Sequence, residues 1–286
     1  MDINRWNELL TVIECGSLTA AAQKMGYTLP SLSRNIALLE ENLGFQLLHR
    51  CKQGVSPTSD CINLLPYIKE LLHTEKCLEQ FSASIRGADE GIINIGTAYR
   101  YYYSWIAEVT SEFRKLHPNV QFHIFNGTST DFVQKLQDHQ LDFCFISQRP
   151  GEYLWHPLYK DSLVALISNK NQLSGQSVVS AQIFCSESYI ETCPGLDIDA
   201  ARFFQNCNII PNTEFTTMDI QATYSMVNAN LGISLNNRIN IVPGYNNVCH
   251  IDIANAPTIE IGLACGSSLT PAAQAFYEFV LDIIRS

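Results

Sequence analysis

The spacing of apolar positions changes character twice along the chain. From Ile3 to Ile13 the apolar residues Ile3, Trp6, Leu9, Leu10 and Ile13 keep a helical period. Gly16 breaks it. Ser17 is placed to cap a second helix over Leu18 to Met25, whose alanines favour helix and close packing. Gly26 suits the left-handed residue after a helix end. Thr28 can cap a third helix that tolerates Pro30 in its first turn, buries Leu32, Ile36, Leu39 and Leu43, and stops at Gly44. Two such helices around a short glycine-containing turn predict a helix-turn-helix. Phe45 to Arg50 is strand-like, Lys52-Gln53-Gly54 makes a turn, and Val55 to Pro57 returns, as in a wing.

Residues 58–86 form one amphipathic stretch. Leu64, Ile68, Leu71, Leu78 and Ile85 follow a 4-3-7-7 spacing, an imperfect heptad that predicts a helix pairing with another copy of itself. Pro66 implies a kink or a late start, and Arg86 to Gly91 reads as a hinge. From residue 92 strands alternate with helices. Strands are expected at 92–96, 120–124, 141–146, 163–167, 189–190, 231–235 and 259–264. Helices are expected at 101–116, 130–138, 200–205 and 219–229, with a last one capped by Thr270 ahead of Pro271. This alternation predicts a parallel sheet covered by helices, in two α/β sets with a cleft between them.

Charge sharpens the division. The chain has 286 residues and a formal charge of −10. Residues 1–58 hold as many basic as acidic groups, with no acid from Cys15 to Leu39, so the excess of negative charge lies in the rest. A polyanion should therefore approach the N-terminal end. The 10 cysteines are scattered without a CxxC pair, which argues against a disulfide framework or a structural metal. No apolar run reaches membrane-spanning length, and the start of the chain lacks the layout of a signal peptide. A soluble cytoplasmic protein is expected. No GxSxG, HExxH, P-loop or GxGxxG occurs, so neither catalytic residues nor a cofactor are expected.

Three runs carry a family likeness: Ser17-Leu18-Thr19-Ala20-Ala21-Ala22, Thr28 to Ile36, and Leu39-Glu40-Glu41-Asn42-Leu43-Gly44 through Arg50. Together they resemble the N-terminal motif of LysR-type transcriptional regulators. Leu141-Asp142 before an apolar strand, Met226 to Ile233, and Thr270-Pro271-Ala272-Ala273 extend the likeness more weakly. Leu29, Leu48 and the Pro57 to Cys61 segment depart from the usual family residues. The resemblance implies an α/β protein with a winged helix-turn-helix at 1–58, a linker and dimerisation helix at 59–87 and a two-lobed domain at 88–286. That domain would be shaped like periplasmic solute-binding proteins, with lobe I at about 88–165 and 267–286 and lobe II at about 166–266. It also implies homodimers or dimers of dimers on double-stranded operator DNA, and control of transcription by a small effector, which the hydroxyls and free N–H groups of the strand-end loops suggest is polar or anionic. RNA polymerase is a further candidate partner.

Site residues follow. A recognition helix presents its N-terminal residues to the major groove, where Arg34 can read guanine and Ser31 and Ser33 can reach base edges or phosphate. Thr28 starts that helix, and Leu29 and Pro30 can touch thymine methyls. Ser17 and Thr19 place a helix N-terminus at the phosphate backbone. Arg50 and Lys52 flank the wing turn. Effector contacts are expected in loops at strand ends: Thr97, Ala98, Tyr99, Gly127, Thr128, Ser129, Thr130, Ser147, Gln148, Glu191 and Thr192. Two alternatives stand beside this reading. One is a redox sensor of the same family, using Cys207 with Cys193 as a poorly spaced partner. The other is an α/β solute-binding receptor or enzyme whose N-terminus only oligomerises.

Overall fold

Helix ends in the N-terminal part are set by side chains that satisfy free backbone N–H groups. In this computed structural model, which describes residues 2–51, 54–85 and 90–285, the first helix α1 spans Asn4–Cys15 and closes on Gly16 in the left-handed region. Helix α2, Leu18–Met25, starts where Ser17 Oγ accepts the N–H of Ala20, and Gly26 ends it at φ 71°. Helix α3, Leu29–Leu43, starts where Thr28 Oγ1 accepts the N–H of Ser31, with Pro30 in its first turn. Each such cap stabilises its helix by about 1 kcal/mol. Trp6, Leu9 and Val12 of α1 meet Ala21 and Ala22 of α2 and Leu32, Ile36 and Leu39 of α3 in one core.

Strands β1 (Leu48–Cys51) and β2 (Gly54–Pro57) pair antiparallel, Arg50 opposite Val55. The Val55 N–H donates to the Gly16 carbonyl at 2.8 Å, which fixes the ribbon against the α1–α2 turn. Gly54 is obligatory there: its φ is +139°, and a Cβ would lie 2.6 Å from that same carbonyl oxygen. Glu40 of α3 accepts the N–H groups of Leu47 and Leu48, tying α3 to the start of the ribbon.

Helix α4 runs Ser59–Ile85 without a late start, Pro66 lying inside it. Its expected seam divides between two faces. Ile68 is buried and Leu64 half-buried in the core of the unit itself, because that side of α4 packs beneath α1. Leu71, Leu78 and Ile85 are exposed, and Tyr67 and Phe81 join them. With Thr74, these residues run 67, 71, 74, 78, 81, 85, a strict heptad spacing along one side. The expected hinge residues 86–89 lie outside the described residues, and Glu90 and Gly91 belong to a strand.

The chain divides into two compact units, Met1–Ala88 and Asp89–Ser286. The second unit holds two lobes. Lobe I is built on β3 (Glu90–Thr97), α5 (Tyr102–Leu116), β4 (Asn119–Asn126), α6 (Ser129–Gln137), β5 (Phe143–Ser147) and β6 (Leu154–Asp161). Lobe II follows with β7 (Leu163–Ser168), β8 (Val178–Val179), α7 (Ile183–Ser186), β9 (Tyr189–Thr192), α8 (Asp199–Asn206), β10 (Thr213–Thr217), α9 (Ile220–Asn228), β11 (Ser234–Asn237) and β12 (Val248–Ile253). The chain then returns to lobe I through β13 (Ile259–Cys265) and α10 (Pro271–Arg285).

The sheet of lobe I has the order β4-β3-β5-β13-β6, with β4, β3 and β5 parallel and β13 antiparallel to both β5 and β6. The expected all-parallel sheet is therefore mixed, because the returning strand inserts from the opposite direction. Lobe II carries the sheet β11-β7-β12-β8, with β9 and β10 pairing in parallel beside it. The lobe limits expected from sequence shift accordingly. Leu163 to Ala165 belong to lobe II, and Ile259 to Cys265 to lobe I. Helices α5 and α10 cover one face of the first sheet and α6 the other. In lobe II, Phe184, Phe203 and Phe204 cover one face and Tyr224 and Val227 the other.

Candidate functional site

The first candidate site is the exposed side of α3. Leu32 and Ile36 point into the core, which turns Arg34 and Ser31 outward. Arg34 is exposed and makes no hydrogen bond or ion pair among the described residues. Leu29 and Pro30 are exposed in the first turn, and Tyr27, which sequence reasoning passed over, is exposed just before it. Thr28 caps the helix through its hydroxyl, so its side chain is engaged. Ser33 is engaged as well: its Oγ accepts from Arg50 Nη1 at 3.2 Å, while Arg50 Nη2 lies 3.6 Å from Glu40. Arg50 thus braces the ribbon on α3 with half of its guanidinium. Ser17 caps α2, and Thr19 is exposed in its first turn. Lys52 lies outside the described residues. Lys24, by contrast, is tied to the exposed Glu14 at 2.8 Å. Among the described residues, Arg34 is a cation of this face that no acid ties.

The second candidate site is a cleft of about 580 Å³ between the lobes of the second unit. Ala98, Tyr99, Gly127, Thr128 and Ser129 line it from lobe I and Thr192 from lobe II, as expected. Others among the expected residues do not line it. Thr97 is fully buried and donates to the Tyr99 carbonyl. Thr130 donates to Asp197, Ser147 is buried against Ser129, and Gln148 lines a separate depression. Glu191 is half-exposed on β9 and takes no part in either lining. Thr128 carries a second duty: its Oγ1 caps α6 by accepting from the Asp131 N–H at 3.1 Å. The Thr192 hydroxyl is shared with that of Thr223 at 2.7 Å.

Sequence reasoning missed Arg149, Asp199 and Asn237, which join the lobes together with the expected Tyr99 and Ser147. Arg149 and Asp199 form an ion pair of 2.6 Å whose side chains are both 7% exposed. Tyr99 Oη donates to Asp199 Oδ2 at 2.6 Å, Asn237 Nδ2 donates to the same oxygen at 3.0 Å, and Ser147 Oγ donates to Oδ1 at 2.8 Å. Burial, then the charge of Asp199, pushes the Tyr99 phenol far up, so it stays a donor. Beside this cluster Arg202 forks onto Asp197, which holds that carboxyl below its usual range, and Thr130 Oγ1 donates to the same Asp197. No spacing rule could reveal the partners of Asp199, since they lie 38 to 100 residues from it. Arg100, Tyr103, Asp131, Met218 and Asp219 complete the walls with mixed charge and apolar surface.

Neither expected redox cysteine gains support. Burial and then Asp219 push the Cys193 thiol up, away from the thiolate that redox chemistry needs, and Cys207 is an exposed residue at the end of α8.

Comparison with known proteins decides the family. The family model for the LysR substrate binding domain matches residues 86–284, and that for the bacterial regulatory helix-turn-helix protein of the lysR family matches residues 3–61. The chain belongs to the LysR family of transcriptional regulators. It is 25% identical over 294 residues to the uncharacterized HTH-type transcriptional regulator YybE of Bacillus subtilis (strain 168), covering 97% of this chain and 98% of the relative. A full-length OxyR from Pseudomonas aeruginosa shares its fold at a TM-score of 0.69 and 17% identity, over 100% of this chain and 95% of that one. The effector binding domain of QuiR, solved in complex with shikimate, aligns at a TM-score of 0.56 and 23% identity, over 68% of this chain and 98% of that one. This LysR-type chain is thus a DNA-binding transcriptional regulator with an effector-binding domain. No helix among the described residues is long and apolar enough to cross a membrane.

Proposed function

We propose that this LysR-type regulator reads its operator with α3 and senses a small polar or anionic effector in the interlobe cleft. The observation that carries the reading is the pairing, in one chain, of an exposed recognition helix with a roomy cleft between two lobes. On α3 the assignment rests on Arg34, Ser31, Leu29 and Pro30 for base contacts, with Thr19, the α2 start at Ser17, and Lys52 for the backbone. Thr28, Ser33 and Arg50 hold the helix and ribbon in register.

In the cleft, Thr128, Ser129 and the start of α6 offer hydroxyls and N–H groups to an anionic or polar ligand group. Tyr103 and Met218 offer apolar surface. A ligand touching both lobes favours one closure over another by its differential affinity, and transcription follows that shift. We assign the protein to the cytoplasm, as a homodimer joined through the exposed stripe of α4, with RNA polymerase as the partner of the DNA-bound form. The reading requires no catalytic step.

The test pairs two measurements on the full chain. Arg34→Ala should weaken binding to a specific site by about 1–3 kcal/mol and relax base preference at one position. Its thermal stability should be unchanged, because the side chain is exposed and unbonded. Parent-like operator affinity in that variant would move the reading surface off α3. A thermal-shift screen of metabolites should then find a ligand that raises stability and alters the operator footprint.

A further inference from the structure

The Asp199 carboxylate behaves unlike an ordinary first-turn acid. It occupies the first position of α8, where a carboxylate normally serves the free N–H groups of its own helix. Here the cap residue is Ile198, and no side chain closes that helix start. The carboxylate instead reaches the opposite lobe. Three of its four donors come from lobe I: Tyr99 Oη, Ser147 Oγ and Arg149 Nη2, at 2.6, 2.8 and 2.6 Å. The fourth, Asn237 Nδ2, sits on lobe II at 3.0 Å.

Those lobe I donors lie just beyond the carboxyl ends of β3 and β5, the crevice where open α/β sheets bind ligands. They make an anion cradle: one guanidinium and two hydroxyls, buried and divided over the two oxygens of a single carboxylate. Ser129 Oγ shares a hydrogen bond with Ser147 Oγ at 3.0 Å and supports the cradle from behind. Asp199 and Arg149 both border the 580 Å³ cleft, so the filled cradle opens onto the effector space.

We propose that Asp199 is a ligand tethered to the chain, whose carboxylate fills a lobe I anion subsite and latches the two lobes in the absence of effector. This deepens the reading of the cleft as the effector site and rests on it. A carboxylate-bearing effector would compete with Asp199 for the same donors. Its binding would exchange the tethered anion for a free one and release the latch. An effector without an anionic group would bind beside the latch and leave it closed. Thr130 adds a second tie between the lobes, donating to Asp197 at 2.8 Å and accepting from Arg149 and Arg202 at 3.3 Å each.

The test empties the cradle and refills it. In full-length Asp199→Ala the subsite is vacant and Arg149 lacks its partner. Sodium formate at about 100 mM should raise the melting temperature of this variant by about 3 °C or more, saturably, relative to the same concentration of chloride. The parent should show no such difference, because its own carboxylate holds the site. Adding Arg149→Ala to the variant should remove the formate response. Equal melting curves in formate and chloride for Asp199→Ala would overturn the tethered ligand. A variant that folds only in formate would support it.

Tyr99→Phe guards against outright misfolding, since it removes one donor and keeps the ring. It should speed amide hydrogen exchange along α8 without altering exchange in α2 and α3. Unchanged exchange in α8 would overturn the latch. The formate result does not depend on whether any metabolite occupies the cleft, so failure of the effector reading and failure of this inference are told apart.

Discussion

Asp161 is the residue at which stability and pH meet most directly. It ends β6, where the chain first crosses between lobes, and it is 2% exposed. Its Oδ1 accepts the Ile239 N–H at 3.1 Å, while Oδ2 has no hydrogen-bond partner among the described residues. Burial is the main cause that pushes its carboxyl above the usual aspartate range. The folded state therefore holds this proton more tightly than the unfolded chain, whose aspartates titrate at about 3.9. Stability from this site is complete below that value and is lost as pH rises through the folded pKa. Asp161→Asn keeps the size and the acceptor for Ile239 but cannot ionise. It should be more stable than the parent at neutral pH, with the gap closing as the pH falls toward about 4. Urea melts at two pH values check this, and a gap independent of pH would assign the effect to packing. Asp161 also shows what residue-level reading could and could not reach. Ser17, Thr28 and Thr270 were legible as cap positions because a cap and its N–H group lie three residues apart. Asp161, Arg149 and Asp199 were not, because their partners come from other elements and only the folded chain brings them together.

Helix α4 shows the same limit at the scale of an element. Its amphipathic character was readable, but one apolar period served two faces at once. Cys61, Leu64, Leu65, Ile68 and Leu72 follow the core beneath α1, whereas Tyr67, Leu71, Leu78, Phe81 and Ile85 follow the outer side. A count of apolar positions cannot separate such faces when they lie a quarter-turn apart and residues from both fit one heptad. Exposure separates them. Tyr67 is 74% exposed, Leu78 66% and Ile85 73%, a run that water solvates poorly and that a second α4 would cover by the same heptad. Leu78→Glu should then place a charge in the dimer seam and weaken self-association by at least about 100-fold. Ile62→Glu is the matched control, since Ile62 is 53% exposed but lies off the stripe. Sedimentation velocity over a dilution series distinguishes them. Equal association of both variants with the parent would exclude α4 as the seam.

At the scale of the whole molecule, the order of elements was legible and the membership of sheets was not. Alternating strands and helices indicate α/β architecture, yet β13 reads like any other strand until its partners, β5 and β6, are known. The strands β6, β8, β10 and β12 were missed outright: Leu154–Asp161 and Thr213–Thr217 mix polar and apolar residues on exposed edges, Val178–Val179 is only two residues long, and Val248–Ile253 carries Cys249, His250 and Asp252 between its apolar positions. What the sequence did indicate at this scale, through its charge division and its change of period, is that two different jobs occupy two different stretches. The cores agree. Leu9, Leu32 and Ile36 belong to a cluster confined to the first unit, and Phe113, Phe143 and Phe276 to one confined to the second. Separate cores imply separate cooperative units, and a ligand stabilises the unit whose folded form it binds. Calorimetry of the full chain should therefore resolve two transitions. At a ligand excess of about 100 Kd, a specific operator duplex should raise one of them by about 10–20 °C and an effector the other by about 5–10 °C, the smaller unit shifting more. Asp161→Asn should move only the transition that the effector moves. One transition raised equally by both ligands would mean that the units unfold together, and the division of labour between α3 and the cleft would then have to be tested by binding alone.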